Sequence, residues 1–589
     1  MFFLAGGGLR RKTGGSRPAA PRAVSLISSV LIGISAPHLA FAQEPVAGRL
    51  VPDTFQPEKE TTAPAIDLGR FSGQTAPASA ASVTVKPGSI RFVGDPLPLP
   101  EAGERLVGEL LRRSEEPALT VAEVFEGAAR LERELAGAGY VLTRVLTPPQ
   151  KIETNGELVF RVVNGRIDEL DASALPPAIR SAVEKRLSPL VGKSPLTLTE
   201  IERALLIAGD LGGLSLRSTV ATGATPGGVR LVLDGGFNRV SGAGGIDSLA
   251  SERVGNLGIN GSVAVNSLLG RGDQIYLAYQ GDLETFLRED ARMRVAAAGA
   301  VFPIGAQGRT LGPEVVWARV RPLPLAGVPD SRNELVRMTL RATSPVLRTR
   351  NENVKAQVSI EAVAQTVNAL EFDTVLSADS YLVARAGMDG QFYPTGTLQF
   401  LGSFNISQGL GDIASPFGGV AGAPPSHRGA TADFTRASAL AGLRIQGLVR
   451  HASVAVRGQS SFGDPLFNSE QLNLDGPDGM SSLGPGEFAV DQGFTVRAEL
   501  GSRLQTPASL PGIAEPYLFT AVGGGEVFDP GGDRELRGAE VGVGVRMRFG
   551  QLGPRNTPVS LGLEVGRNWI NSLENEQEDR FTFLLGLSF

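Results

Sequence analysis

The chain has 589 residues, of which 42% are hydrophobic and 20% charged, with a formal net charge of −5 and no cysteine. That balance excludes an extended disordered chain, and the missing cysteines exclude disulfides and thiolate metal sites. The acidic balance speaks against nucleic acid as a partner. Glycine, at 75 residues, exceeds its ordinary share and suits a fold with many turns or close backbones.

Residues 1–42 read as a signal peptide. Arg10, Arg11, Lys12, Arg17 and Arg22 form a cationic start, "AVSLISSVLIGISA" an apolar stretch, and Ala40-Phe41-Ala42 a small-x-small cleavage site. The alternative, a membrane anchor, is weakened by the short apolar run, which stops at Pro37-His38. Cleavage leaves the mature chain at about −10. Residues 43–87, rich in Pro, Ala, Ser and Thr, carry no sustained periodicity. They read as a flexible linker, with no pattern that supports a plugging helix.

Residues 88–166 and 167–235 read as two small α+β modules of β-α-α-β-β order. In the first, "SIRFVGD" is a strand, and Leu106, Val107, Leu110 and Leu111 mark one face of a helix. Thr120 and Glu123 form a capping box for a second helix that stops at Gly137 and Gly139. "YVLTRVLTP" and "GELVFRVVNGRI" close the unit. The second module repeats the order, with Ile179, Val183, Leu187 and Leu190 on its first helix and Thr197 and Glu200 capping the next. The two Leu-Thr caps lie 77 residues apart, which an internal duplication explains more economically than two unrelated domains. Neither module shows a cofactor loop, metal cluster or nucleophile. Exposed sheet edges in such modules suit capture of an extended peptide better than catalysis.

From residue 236 to 589 helical periodicity gives way to strand-like runs such as "DQIYLAYQGD", "ELVRMTLRAT" and "VSLGLEVGRNWI". No segment offers a run of about 18 apolar residues, so a helical span is absent, but a closed barrel still crosses a membrane. The runs make about sixteen antiparallel strands of an outer-membrane barrel. With the modules in the periplasm, odd-to-even connections face outward. The long segments 411–430 and 462–492 fall on that side, and short turns near Pro394-Thr395 and Arg450-His451 on the other. In "RFTFLLGLSF", Phe581, Phe583, Leu585, Leu587 and Phe589 alternate as a lipid-facing stripe. A soluble array of β-sandwiches would alternate similarly but would need neither the signal nor the connection parity.

Two such modules before a sixteen-strand barrel resemble the two-partner secretion transporters (TpsB type, Omp85 superfamily, with periplasmic POTRA domains), which export haemolysins and adhesins. "LTLTEIERALLIAGDLGG", with Glu202-Arg203 and Asp210 to Gly213, looks like a segment of their second module. The stretch from Gly458-Gln459 through Pro465-Leu466, Ser469-Glu470-Gln471, Gly476, Gly479, Asp491 and Gly493 to Glu499-Leu500 follows their long-loop pattern over more than forty residues. The resemblance implies a gating loop with Glu470, Gln471, Gly476, Gly479, Ser481, Gly484, Asp491 and Gly493. It also implies a C-terminal insertion signal at Phe581, Phe583 and Phe589, read by the barrel-assembly machinery.

One departure stands out. The family's loop tip carries an arginine paired with a barrel-strand aspartate, whereas the aligned positions here hold Ser481 and Ala521. Losing both leaves no orphan charge. The reading expects the loop to be held by backbone geometry at Gly484-Pro485-Gly486. Function follows as an expectation: export of an unfolded partner captured in the periplasm, without ATP, since no phosphate loop is present. Alternatives are a barrel-assembly factor, a functionally degenerate transporter or a passive porin. No enzyme and no cofactor are expected. His427 and His451 read as solvated, and His38 departs with the signal.

Overall fold

The computed structural model describes residues 46–57, 65–67, 74–115, 118–225, 227–324, 329–416, 422–477, 479–507, 511–552, 557–571 and 579–588. The expected signal peptide and Phe589 lie outside them.

Both capping boxes form. Thr120 Oγ1 accepts from Glu123 N (3.2 Å) while Glu123 Oε2 accepts from Thr120 N (2.8 Å). Thr197 and Glu200 repeat the exchange at 3.3 and 3.0 Å. The capped helix Val121–Gly137 buries Val124, Ala128, Leu131 and Leu135 against Leu106 and Leu110 of the helix Pro100–Arg113. Each buried leucine contributes roughly 1.5–3 kcal/mol. Beneath them lies a sheet of Ser89–Gly94, Glu157–Val163 and Arg144–Leu146, the first pair parallel. In the second module the helices Pro177–Leu187 and Leu198–Gly209 cover the strands Arg166–Asp171, Leu214–Thr222 and Gly228–Phe237. Leu142 of the first module enters the second core, and Leu198 N donates to Gly139 O (2.8 Å), which joins the modules.

Sixteen strands close a barrel from Val240–Asp247 to Asp579–Ser588. The twelfth is interrupted at Arg503, and both its parts (Gln492–Ser502 and Leu504–Gln505) pair with the thirteenth, Gly512–Val527. Closure pairs Ala243–Asp247 with Leu584–Ser588 and leaves no open edge. Side chains alternate: Phe581 is 58% exposed outside the barrel, while Thr582 is 6% exposed inside. Leu277, Met338, Ile360, Phe404, Phe494 and Leu518 continue an exposed apolar belt too broad for a soluble surface. No helix among the described residues is long and apolar enough to cross a membrane; the strands do so.

The second module sits on turns between even and odd strands. Ser267 Oγ donates to Ala178 O (2.7 Å), and Arg348 pairs with Asp210 (2.7 Å). The long connections open at the other end, as the parity argument expects.

The segment expected to be a flexible linker does two structured things instead. Val46 to Phe55 lies inside the barrel, with a short helix at Ala47–Leu50. Further on, Ala65–Asp67 adds in parallel to Arg217–Thr219 at the edge of the second module's sheet. The barrel wall and that sheet edge supply order that local periodicity does not encode.

Candidate functional site

The lumen is filled from two directions. The N-terminal segment is held along the wall: Glu314 accepts from Phe55 N (2.9 Å), Thr54 Oγ1 (3.2 Å) and Tyr276 Oη (2.7 Å). Arg337 donates to Pro52 O and Arg341 to Thr54 Oγ1 (2.8 Å). Nearer the outer mouth, Ala47 and Val51 pack with Val316, Leu335, Phe434, Leu466 and Phe467, so this part of the pore is closed by an apolar core. Tyr381 stacks on Phe467 at 4.7 Å between ring centroids.

The loop between the eleventh and twelfth strands (461–491) folds back inside. At its base Glu470, 1% exposed, accepts two bonds from Arg385 (2.7 and 3.0 Å) and one from Tyr381 Oη (2.8 Å), and Arg436 lies at 3.3 Å. Two cations and a phenol offset the cost of burying this carboxylate. Gln471 joins Arg49 of the inner helix to Asp491, to which it donates at 2.9 Å. Asp491 also accepts from Leu466 N (3.0 Å) and Phe528 N (2.7 Å). Asn473 Nδ2 donates to Arg49 O (2.7 Å), so helix and loop form one body.

Gly476 takes φ +82°, where a side chain is disfavoured. Gly493 stands where a Cβ would lie 2.4 Å from Gly524 O, so only glycine permits that approach of strands. Gly479 O faces Arg497, and Gly484 N donates to Glu487 (3.2 Å). Phe581 and Phe583 lie on the outer face of the last strand.

One expectation is corrected at the loop tip. The Gly484-Pro485-Gly486 turn is not its anchor: Ser481 N and Ser482 N donate to Glu540 at 3.0 and 2.9 Å. The tip itself carries no charge, and Arg497, Glu499, Glu540 and Glu564 of the barrel wall surround it. Ala521 supports the tip as an apolar neighbour of Met480 and Leu483. His427 is also not solvated; its Nδ1 lies 2.9 Å from Leu466 O and 3.5 Å from Asp491 within the loop's footing.

The second module's motif has a mechanical meaning that sequence reasoning missed. Asp210 receives both arms of Arg348 (2.7 and 2.9 Å), Glu202 pairs with Arg350 (3.0 Å), and Arg203 donates to Pro345 O (3.0 Å). Gly213, at φ +72°, lies where a Cβ would meet Asn238 O at 2.1 Å. Asp210, Glu202 and Arg203 dock the module at the turn between the sixth and seventh strands, while Gly213 packs where the module joins the first barrel strand.

A closed sixteen-strand barrel with a lipid-facing belt and two soluble modules at one end is an outer-membrane protein with its modules in the periplasm. Among solved structures, CdiB from Escherichia coli is similar at 18% identity, covering 88% of this chain and 93% of that one with a TM-score of 0.65. CdiB from Acinetobacter baumannii is similar at 14% identity, covering 93% and 95%, with a TM-score of 0.58. The resemblance to two-partner secretion transporters therefore holds at the level of the fold. No protein-family profile matches the chain, and no curated protein matches it significantly.

Proposed function

We propose that this protein exports an unfolded secreted partner, captured in the periplasm by the two modules and passed through the barrel to the cell surface without ATP. The observation that carries the reading is the edge of the second module, where Arg217–Thr219 already accepts an extended segment, Ala65–Asp67. A partner strand of arbitrary sequence would use the same backbone donors and acceptors on replacing that segment. The lumen contents fit the same reading, since helix and loop are held on the wall by polar contacts and an apolar core, all non-covalent, that must give way before a chain passes. Outer-membrane lipid is the solvent of the belt, and the barrel-assembly machinery inserts the chain through its last strand.

A second reading, a factor that assembles other barrels, is favoured by one feature. The pairing of the first strand with the last spans five positions, Ala243 to Asp247, the shortest run between neighbouring barrel strands among the described residues. Deleting the gene and comparing surface and secreted proteins with the parent separates the two. Loss of one or a few large extracellular proteins supports export; depletion of many barrels supports assembly. The charge missing from Ser481 and Ala521 no longer argues for a degenerate transporter, because charge stands beside both positions.

A further inference from the structure

Arg497, Ala521, Glu540 and Asn568 are successive ladder partners on strands twelve to fifteen, so they form one inward row beneath the loop tip. The Arg497 guanidinium lies 4.1 Å from the centroid of the Phe519 ring. It pairs with Glu499 (2.9 Å), Glu564 (2.8 Å) and Glu540 (3.2 Å) and donates to Ser481 Oγ (2.9 Å). Glu499 also holds Arg546 at 2.7 Å. Three carboxylates thus face two guanidiniums in this cluster, with Arg457 of the eleventh strand standing close by at Gly479 of the tip.

The loop meets this cluster at Glu540, which is 0% exposed. One oxygen accepts from Ser481 N (3.0 Å), the other from Ser482 N (2.9 Å) and Ser482 Oγ (2.5 Å), while the single Ser481 Oγ proton lies between Glu540 (3.2 Å) and the nearer Glu564. Two successive backbone N–H groups aimed at one anion make a nest, which the hydroxyls complete.

We propose that the tip of the loop, as distinct from its base at Glu470, is latched by charges belonging entirely to the barrel wall: Glu540 is the anchor, Arg497 is its positioning residue, and the tip brings only neutral donors. A loop-borne arginine must break an ion pair to leave, stranding a charge on each side. Here the tip withdraws as a neutral body while Arg497 keeps its three carboxylates. Glu540 keeps Arg497 but loses the Ser481 and Ser482 donors, and Glu564 loses the Ser481 hydroxyl, so water must meet the vacated oxygens and release of the tip and wetting of the lumen become one event. The latch holds whichever polypeptide uses the pore, so it stands apart from the export reading.

The chain has no cysteine, so Leu483→Cys gives a single thiol at the buried tip, whose labelling by a charged maleimide reports loop release in the full-length protein. In that background Ser481→Arg sets a second guanidinium against Arg497, and Arg497→Ser leaves three carboxylates with one cation. The double variant returns the cation to the loop. Each single change is expected to raise the labelling rate about tenfold or more, and the double to fall within about threefold of the parent. Glu540→Gln, nearly isosteric but presenting an amide to the nest, is expected to raise it about tenfold with SDS resistance of the barrel retained. A double variant that labels as fast as the faster single change overturns the latch, as does Glu540→Gln labelling at the parental rate. Should Arg497→Ser fail to reach the membrane, the Glu540→Gln rate decides alone.

Discussion

Replacing Gly48 by alanine tests whether the inner helix closes the pore. A Cβ there would lie 2.3 Å from Gln365 Oε1, 2.6 Å from Ser469 Cβ and 3.0 Å from Ser469 Cα. The Gln365 amide can swing away. Ser469 cannot retreat without moving the loop base beside Glu470, which is fixed by Arg385. Overpacking of this kind costs about 1–3 kcal/mol, against a gain in helix propensity of at most ~1 kcal/mol, and less in a four-residue helix. The net, about 1–2 kcal/mol against the seated helix, multiplies the unseated population about tenfold. Ion current through the purified protein in planar bilayers should show open time rising by that factor, and Gly48→Leu should raise it further. Both variants inserting normally at parental current would refute the reasoning, for the helix would then not be what closes the pore.

Glu470→Gln strips Arg436 of its carboxylate, while Arg385 keeps Glu361 at 3.0 Å. A loss of about 3–5 kcal/mol should expose residues 461–491 to protease in intact barrels. Asp210→Asn should loosen the second module by only about 1 kcal/mol, because Asp210 is 39% exposed. Distances between spin labels on module and barrel should broaden without loss of barrel fold. In the first module Glu132 is pushed above its usual pKa, chiefly by burial and despite accepting from Val145 N (2.7 Å). Its folded pKa is the raised one, so its stabilising contribution is full below the unfolded value and fades as pH rises through the folded value. Glu132→Gln should therefore slow hydrogen exchange in residues 121–163 at neutral pH and give no gain in mild acid.

The sequence carried the architecture because its signals are local. Capping residues at Thr120 and Thr197 announce their helices within four positions. Alternation marks each strand, and connection lengths follow the sidedness of the membrane. The site was legible only in part. The loop motif identified Glu470, Gln471 and Asp491, and Ser481 marked the place where the tip departs from the pattern that the loop otherwise resembles. Arg497 and Glu540 carried no local sign, since each is one charged residue in an alternating strand. What joins them is the register of four strands, fixed by turns and closure rather than by neighbouring residues. The inner helix escaped for a related reason: "VAGRLV" is too short for amphipathic periodicity, and its buried faces are set by the barrel that surrounds it.

The proposed passage of a polypeptide through this barrel is testable directly in cells. A photo-crosslinking residue at Arg341, whose guanidinium meets Thr54 inside the lumen, is compared with one at Leu340, which faces lipid and is 50% exposed. The account predicts an adduct between position 341 and an extracellular protein only while that protein is being secreted, and none at position 340. Equal capture at both positions, or no adduct at 341 during active secretion, would contradict it.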